Sequence, residues 1–320
     1  MRVLVTGSHG FLGRHFVKHL TDANCDVVGI DDLSNGLPMQ EWAEHLLPTK
    51  GRFSFFIEDV TEFLPYHRDK YDLVIHCAGV IGGRKVIEED PVQHVRSIEI
   101  DAVMAQWMVR SGNKRLLYLS SSAVYPTRLQ GNNKDQSSLF ETDQRIGDVF
   151  ERPDMMYGWS KLNGEVMFKM LSEAYRINVL SIRPFSGYGE DQGDEYPMTA
   201  IVKRALTHED PLTVWGSGQQ GRDFIYVDDL CQMAVKKVIT TKGYEMLNLG
   251  SGQVTTFKKL AEIIAEEVGY KTEIKPLSSE PEGVFTRVAD VWNMQEQVGL
   301  PKTSLREGVR KVIEYQRGKQ

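Results

Sequence analysis

The chain has 320 residues, 41% of them hydrophobic and 26% charged, with a net charge of −6 and an isoelectric point near 5.8. This is the composition of a globular protein with one large domain, or with a large and a small one. The acidic balance excludes a general binder of nucleic acid or of anionic membranes, while a local basic site for one phosphorylated ligand remains compatible with it. No apolar run reaches membrane-spanning length, and the first residues enter a strand pattern at once, with no signal peptide. Cys25, Cys77 and Cys231 are scattered, and the eight histidines lack ligand spacing. Neither disulfides nor a metal site is expected, and a reducing cytoplasm is the expected compartment.

The chain opens on its most informative stretch. An apolar strand at 2–6 runs into Gly7, Gly10 and Gly13, and an amphipathic helix follows at 11–22. Strand, glycine turn and helix start are what a dinucleotide pyrophosphate needs, because backbone can approach the phosphates and free N–H groups point at them. The next strand, 26–31, ends in Asp31 and Asp32, about 20 residues past the glycines, where a carboxylate accepts from a ribose diol. It would repel a 2′-phosphate, and no arginine follows directly, so NAD is expected rather than NADP.

Apolar runs then alternate with helical patterns: a helix at 40–46, strands at 53–57 and 72–77, a helix at 91–111, a strand at 115–121, a helix at 157–175 and a strand at 178–183. Alternation with fully apolar strands predicts a doubly wound parallel α/β fold, a Rossmann sheet covered on both faces. Residues 1–185 are read as its cofactor-binding domain. From 186 to 320 glycines and prolines break the pattern around helices at 198–207, 228–239 and 256–268, which reads as a smaller α/β part holding a second ligand. The run 245–249 could return to the sheet as a further strand.

Tyr157 and Lys161 are four residues apart on a predicted helix and therefore share a face. An ammonium beside a phenol favours the phenolate, which makes Tyr157 a usable acid/base for a sugar or alcohol hydroxyl. Ser120, Ser121 and Ser122 end the strand at 115–121, at the carboxyl edge where open α/β sheets bind ligands. Between these serines and Tyr157 lies a long polar segment, 126–156, which reads equally as a specificity loop or as a surface insertion.

Together these motifs resemble the extended short-chain dehydrogenase/reductases, in their nucleotide-sugar epimerase and dehydratase group. The resemblance runs through Thr6-Gly7-Ser8-His9-Gly10-Phe11-Leu12-Gly13, His76-Cys77-Ala78-Gly79, Ser120-Ser121-Ser122, Tyr157 with Lys161, Arg183-Pro184-Phe185, Trp215-Gly216-Ser217-Gly218 and Gly221-Arg222-Asp223. It implies that Gly7, Gly10 and Gly13 cradle the NAD pyrophosphate with Phe11 and Leu12 closing over it. It further implies that Asp31 binds the adenosine ribose, Asp59 and Val60 the adenine, and that Ala78, Gly79 and Pro184 line the cofactor channel. Ser121, Tyr157 and Lys161 take the catalytic positions, Lys161 also holding the nicotinamide ribose. Ser121, Ser122, Ser186, Trp215, Arg222 and Arg287 fall at substrate positions, with Trp215 packing on a nucleotide base and Arg222 holding a diphosphate. Ser186 departs from the asparagine that many relatives carry there.

Departures also narrow the reaction. Sugar dehydratases carry an acidic pair where this chain has Ser122 and Ala123, and ring epimerases of the GDP-mannose 3,5-epimerase type carry a cysteine where it has Ala123. The remaining expectation is epimerisation of a nucleotide-diphosphate sugar at C4, with Tyr157 handling the C4 hydroxyl proton while NAD oxidises and re-reduces C4. The alternatives are a 4-dehydrogenase or 4-keto reductase, an enzyme like GDP-mannose 3,5-epimerase and, least favoured, a dinucleotide sensor without turnover. The resemblance around 281–287 favours GDP slightly over UDP. A homodimer is expected through the helices at 91–111 and 157–175, with Met104, Trp107, Met108, Met167, Met170 and Leu171 as candidate interface residues.

Overall fold

The structure, a computed structural model, describes residues 1–131, 138–144 and 151–319. Its strands in chain order are β1 (Arg2–Thr6), β2 (Asp26–Asp31), β3 (Arg52–Ile57), β4 (Leu73–His76), β5 (Arg115–Leu119), β6 (Asn178–Pro184), β7 (Ser186–Tyr188), β8 (Leu212–Trp215), β9 (Gly221–Arg222), β10 (Phe224–Tyr226), β11 (Tyr244–Leu249), β12 (Thr255–Thr256), β13 (Ile274–Leu277) and β14 (Thr286–Arg287). The helices are α1 (Phe11–Asp22), α2 (Val60–Phe63), α3 (Arg84–Glu89), α4 (Val95–Ser111), α5 (Met155–Tyr175), α6 (Pro197–Leu206), α7 (Val227–Thr240), α8 (Phe257–Val268), α9 (Trp292–Val298) and α10 (Leu305–Gly318).

Seven strands form one parallel sheet in the order β3-β2-β1-β4-β5-β6-β11. Alternate residues of each strand serve opposite faces. Val3 and Val5 of β1 pack with Phe16, Val17 and Leu20 of α1 and with α7, while Leu4 packs with Met104 and Trp107 of α4 and Phe168 of α5. The sheet is thus covered on both sides, the doubly wound α/β arrangement that the strand–helix alternation predicts. Because β1 is flanked by β2 on one side and β4 on the other, the winding reverses there, and a crevice opens at the carboxyl ends of these strands.

Beyond residue 185 the chain both joins the sheet and builds a second core. Strand β11 pairs with β6 along its full length, and α7 lies against α1. Helices α6, α8 and α10 enclose a separate cluster with β8, centred on Ile201, Val214, Leu260, Ile264 and Val312. Three differences from the sequence reading have plain causes. Residues 40–46 form two short 3-10 turns, Met39–Glu41 and Glu44–Leu46, instead of a helix; Trp42 between them is buried, its Nε1 donating to the Leu37 carbonyl. Helices α2, α3, α9 and α10 have no counterpart among the expected elements. Met104, Trp107, Met108 and Leu171 are buried in the core under the sheet and supply no interface; Met170 is exposed.

An ionic cluster, buried except for the exposed Asp228, ties α1 to the later part of the chain. Arg14 donates to Asp191 through Nε (2.9 Å) and Nη2 (2.7 Å), and His15 bridges Asp191 and Asp228, 2.9 Å from each. Burial pulls the His15 pKa down, but the hydrogen bonds to the two carboxylates outweigh it and raise the value to about 9. Protonated His15 therefore stabilises the native state. The contribution is complete below about pH 6.5, the value in the unfolded chain, and falls as pH rises through about 9. Denaturation of the wild type followed between pH 6.5 and 9 should show declining stability, and His15→Gln should flatten that decline. Equal slopes for the two proteins would contradict this role for His15.

Candidate active site

One cavity of about 830 Å³ runs from the crevice at β1 across the sheet edge to the second core. Every residue expected to bind cofactor or substrate lies on its wall except Ser122. Ser122 is the first residue of a 3-10 turn, Ser122–Val124, and is buried away from the cavity. Its neighbour Ser121 heads that turn, accepting from Ala123 N at 3.1 Å, and does reach the wall. Ser120 also lines the cavity, but its hydroxyl is committed to Glu165, to which it donates at 2.5 Å.

The glycine turn at the β1 end has no room for side chains. A Cβ at Gly13 would lie 1.9 Å from the Gly7 carbonyl oxygen, and Gly7 itself has φ +65° with the Ala78 amide 2.7 Å from where its Cβ would be. The turn can therefore press its backbone N–H groups against a pyrophosphate, at the start of α1. Asp31, buried at the end of β2, accepts from His9 N (2.9 Å) and Leu33 N (2.8 Å). These bonds fix the carboxylate, and each oxygen keeps a lone pair for a ribose diol. Asp59 caps α2 by accepting from Thr61 N at 2.7 Å and also takes Arg96 at 2.5 Å, so its side chain holds this wall together. The residues fit a dinucleotide with an unphosphorylated adenosine ribose.

Tyr157 and Lys161 project from one face of α5 into the cavity. Lys161 is buried; its Nζ donates to the Leu119 carbonyl (3.0 Å), lies 5.4 Å from the centre of the Tyr118 ring and faces Gly79, where a Cβ would stand 3.5 Å away. The Tyr157 ring rests on His94, ring centres 5.3 Å apart, and His94 Nδ1 is 3.2 Å from the Val80 carbonyl. Cys77 is also on the wall, but burial pushes its thiol up, so it is not a ready thiolate.

The far end of the cavity carries the cations. Among the described residues the Arg222 guanidinium donates to the carbonyls of Gly221 (2.8 Å) and Glu282 (3.5 Å), and it lies over the Phe257 ring. Burial, aided by the nearby Arg287 charge, lowers its pKa to about 9, as expected of a guanidinium with no anion against it. Arg287 donates to Gln130 Oε1 (2.6 Å) and to Asp154 (2.7 Å), and Arg84 also holds Asp154. Trp215 leaves 40% of its surface exposed beside them. Arg84, Asp154, Gln192 and Tyr196 also line the cavity and carry no motif in the sequence; Glu282, within the 281–287 stretch, lines it too.

The segment 126–156 includes residues outside the described ones. Its described stretches are fastened to the molecule: Leu139 N donates to the Val288 carbonyl (2.9 Å), and Arg183 donates to the carbonyls of Glu141 (3.0 Å) and Gln144 (3.3 Å). Among the described residues no helix is long and apolar enough to cross a membrane, and no cluster of metal-ligating side chains occurs.

The family model for the NAD dependent epimerase/dehydratase family matches residues 3–250. The chain is 26% identical to the UDP-glucose 4-epimerase of Mycolicibacterium smegmatis, over 100% of this chain and 99% of that one. It is 26% identical to the GDP-L-fucose synthase of Sinorhizobium fredii, over 98% and 94%. The structure of a UDP-glucuronic acid 4-epimerase from Bacillus cereus, bound to a fluorinated UDP-sugar and NAD, superposes with a TM-score of 0.83 at 25% identity, covering 100% of both chains. With the glycine cradle, the ribose carboxylate and the Tyr157–Lys161 pair on one cavity wall, the chain belongs to the NAD-dependent epimerase/dehydratase family, and NAD is its cofactor.

Proposed function

We propose that the protein epimerises a nucleotide-diphosphate sugar at C4. The observation that carries this reading is the wall around Tyr157. It offers a serine, a phenol and an ammonium, while the positions for an acidic pair or a ring-epimerising cysteine hold Ser122 and Ala123; Glu195 and Tyr196 also line the cavity, and the deuterium experiment below tests whether either serves as a base for a neighbouring sugar carbon. Ser122 is turned away, Ala123 is inert, and the Cys77 thiol is held protonated by burial. Asp154 is buried, which raises a carboxyl's pKa, but Arg287 and Arg84 outweigh this and keep it below the usual range. A carboxylate so held is a poor proton acceptor. Bound NAD supplies a reversible oxidation at one sugar carbon. Tyr157 takes and returns the C4 hydroxyl proton, Ser121 orients that oxygen, and Lys161 holds Tyr157 and the nicotinamide ribose in register. Gly7, Gly10, Phe11, Leu12, Gly13, Asp31, Asp59, Val60, Ala78, Gly79 and Pro184 hold the cofactor. Arg222 and Arg287 take the diphosphate, whose oxygens match guanidinium donors in pairs, and Trp215 with Ser186 completes the nucleotide side. The GDP- and UDP-linked relatives leave either base within this reading.

Incubation with GDP- and UDP-sugars in heavy water, read by NMR, tests it. A C4 epimer should form with no deuterium at C3, C5 or C6 and with the original C4 hydrogen retained. Deuterium at C3 or C5 would require a base elsewhere, and a 6-deoxy-4-keto product would show dehydration. A 4-keto sugar accumulating with free NADH would mark a net dehydrogenase. The reading also includes a homodimer through α4 and α5, whose outer faces expose Val95, Trp159, Met170 and Tyr175. Light scattering should give twice the monomer mass at micromolar protein, and a monomer mass would remove the dimer from the reading.

A further inference from the structure

Asp154 occupies the N-cap of α5, three residues ahead of Tyr157. An aspartate there ordinarily accepts from a free N–H of the first turn. This one makes no capping bond. Its oxygens go instead to Arg84 Nη1, 3.0 Å from each, and to Arg287 Nη2 at 2.7 Å. The two guanidiniums come from distant parts of the chain, Arg84 from α3 and Arg287 from β14.

The backbone beside it is strained. Met155 has φ +57°, a left-handed conformation that a non-glycine residue keeps only when its surroundings over-determine it. Those surroundings are explicit. Asp154 N donates to the Ala123 carbonyl (2.8 Å), and Gly158 N donates to the Asp154 carbonyl (2.9 Å). A Cβ at Gly158 would stand 2.4 Å from the Ala123 oxygen, and Arg84 Nη2 lies 3.6 Å from Met155 Sδ. The turn that delivers Tyr157 is thus clamped between Ala123 and a carboxylate shared by two arginines.

Arg287 also faces the same cavity as Arg222, close enough to depress its pKa. An anion seated between these two arginines must share Arg287 with Asp154. We propose that Asp154 is a positioning residue that competes with the substrate diphosphate for Arg287, so that filling the diphosphate end of the cavity alters the hold on the turn carrying Tyr157. This rests on the nucleotide-sugar reading above. It also makes opposite demands on binding and on turnover, which a merely structural carboxylate would not.

Calorimetric titration of GDP and of UDP into the NAD-loaded protein tests it without turnover. The wild type should bind at least one of them; binding of neither would defeat the nucleotide-sugar reading itself, and this proposal with it. Asp154→Asn removes the charge that holds Arg287, leaving at most a neutral acceptor, and should tighten that binding at least about fivefold. The same variant should lower kcat at least about tenfold on the substrate identified by NMR. Arg84→Gln leaves Asp154 to Arg287 alone and should weaken diphosphate binding. Unchanged or weaker binding by Asp154→Asn, or an unchanged kcat, would overturn the proposal. If Asp154→Asn does not fold, Arg84→Gln decides the matter, since unchanged or tighter binding there would equally overturn it.

Discussion

Tyr157→Phe is expected to lower turnover by about 10²–10⁴-fold, the usual cost of losing a positioned acid/base. The phenol oxygen is the only atom removed. The ring contact with His94 remains, and the Lys161 bond to the Leu119 carbonyl does not involve Tyr157. Thermal stability and bound NAD should therefore be close to those of the wild type, and the loss should fall on kcat rather than on nucleotide-sugar affinity. Near-normal turnover in this variant would sink the assignment of Tyr157. Loss of the cofactor would instead show that the phenol oxygen is needed to hold NAD.

Glu165→Ala should be the most destabilising of the simple truncations near the site. The Glu165 and Arg183 side chains are both fully buried, joined through Arg183 Nε (2.8 Å) and Nη2 (2.6 Å). Glu165 also accepts from Ser120, and the guanidinium stacks 4.8 Å from the centre of the Tyr125 ring. Removing the carboxylate leaves a cation without a counter-charge in the interior, at a cost of about 3–5 kcal/mol. Urea denaturation followed by fluorescence should show the loss. Replacing both partners, as in Glu165→Leu with Arg183→Met, should recover part of it, because apolar groups of similar size carry no desolvation penalty. A change below about 1 kcal/mol in Glu165→Ala would mean that the pair is hydrated in solution.

The pair also explains the serine run. Position at a strand end does not separate Ser120, Ser121 and Ser122; only the family resemblance singles out Ser121 as catalytic. In the structure Ser120 and Ser121 both line the cavity, but the Ser120 hydroxyl serves Glu165 while Ser121 heads the turn, and Ser122 is buried in that turn. That sorting depends on Glu165, 45 residues later in the chain, and on the 3-10 turn that follows β5.

What could be read from the residues alone was local or periodic. The glycine turn was legible because three glycines between a strand and a helix follow from short-range sterics, and the Gly13 and Gly7 contacts bear out that crowding. The pairing of Tyr157 with Lys161 followed from helical periodicity, and the parallel sheet from fully apolar strand runs. The short 3-10 turns around Trp42 were misread because apolar spacing over seven residues cannot separate a helix from two turns. Met104, Trp107 and Met108 were offered as interface residues because periodicity says which residues share a face but not what that face meets. Only the tertiary structure decided that α4 turns them toward the sheet. It also decided that Arg84, Asp154 and Arg287 meet. Arg84 and Asp154 are 70 residues apart and Asp154 and Arg287 are 133 apart. No local pattern encodes such a meeting, because it is made when α3, the start of α5 and β14 are brought to one cavity by the order in which the sheet is wound.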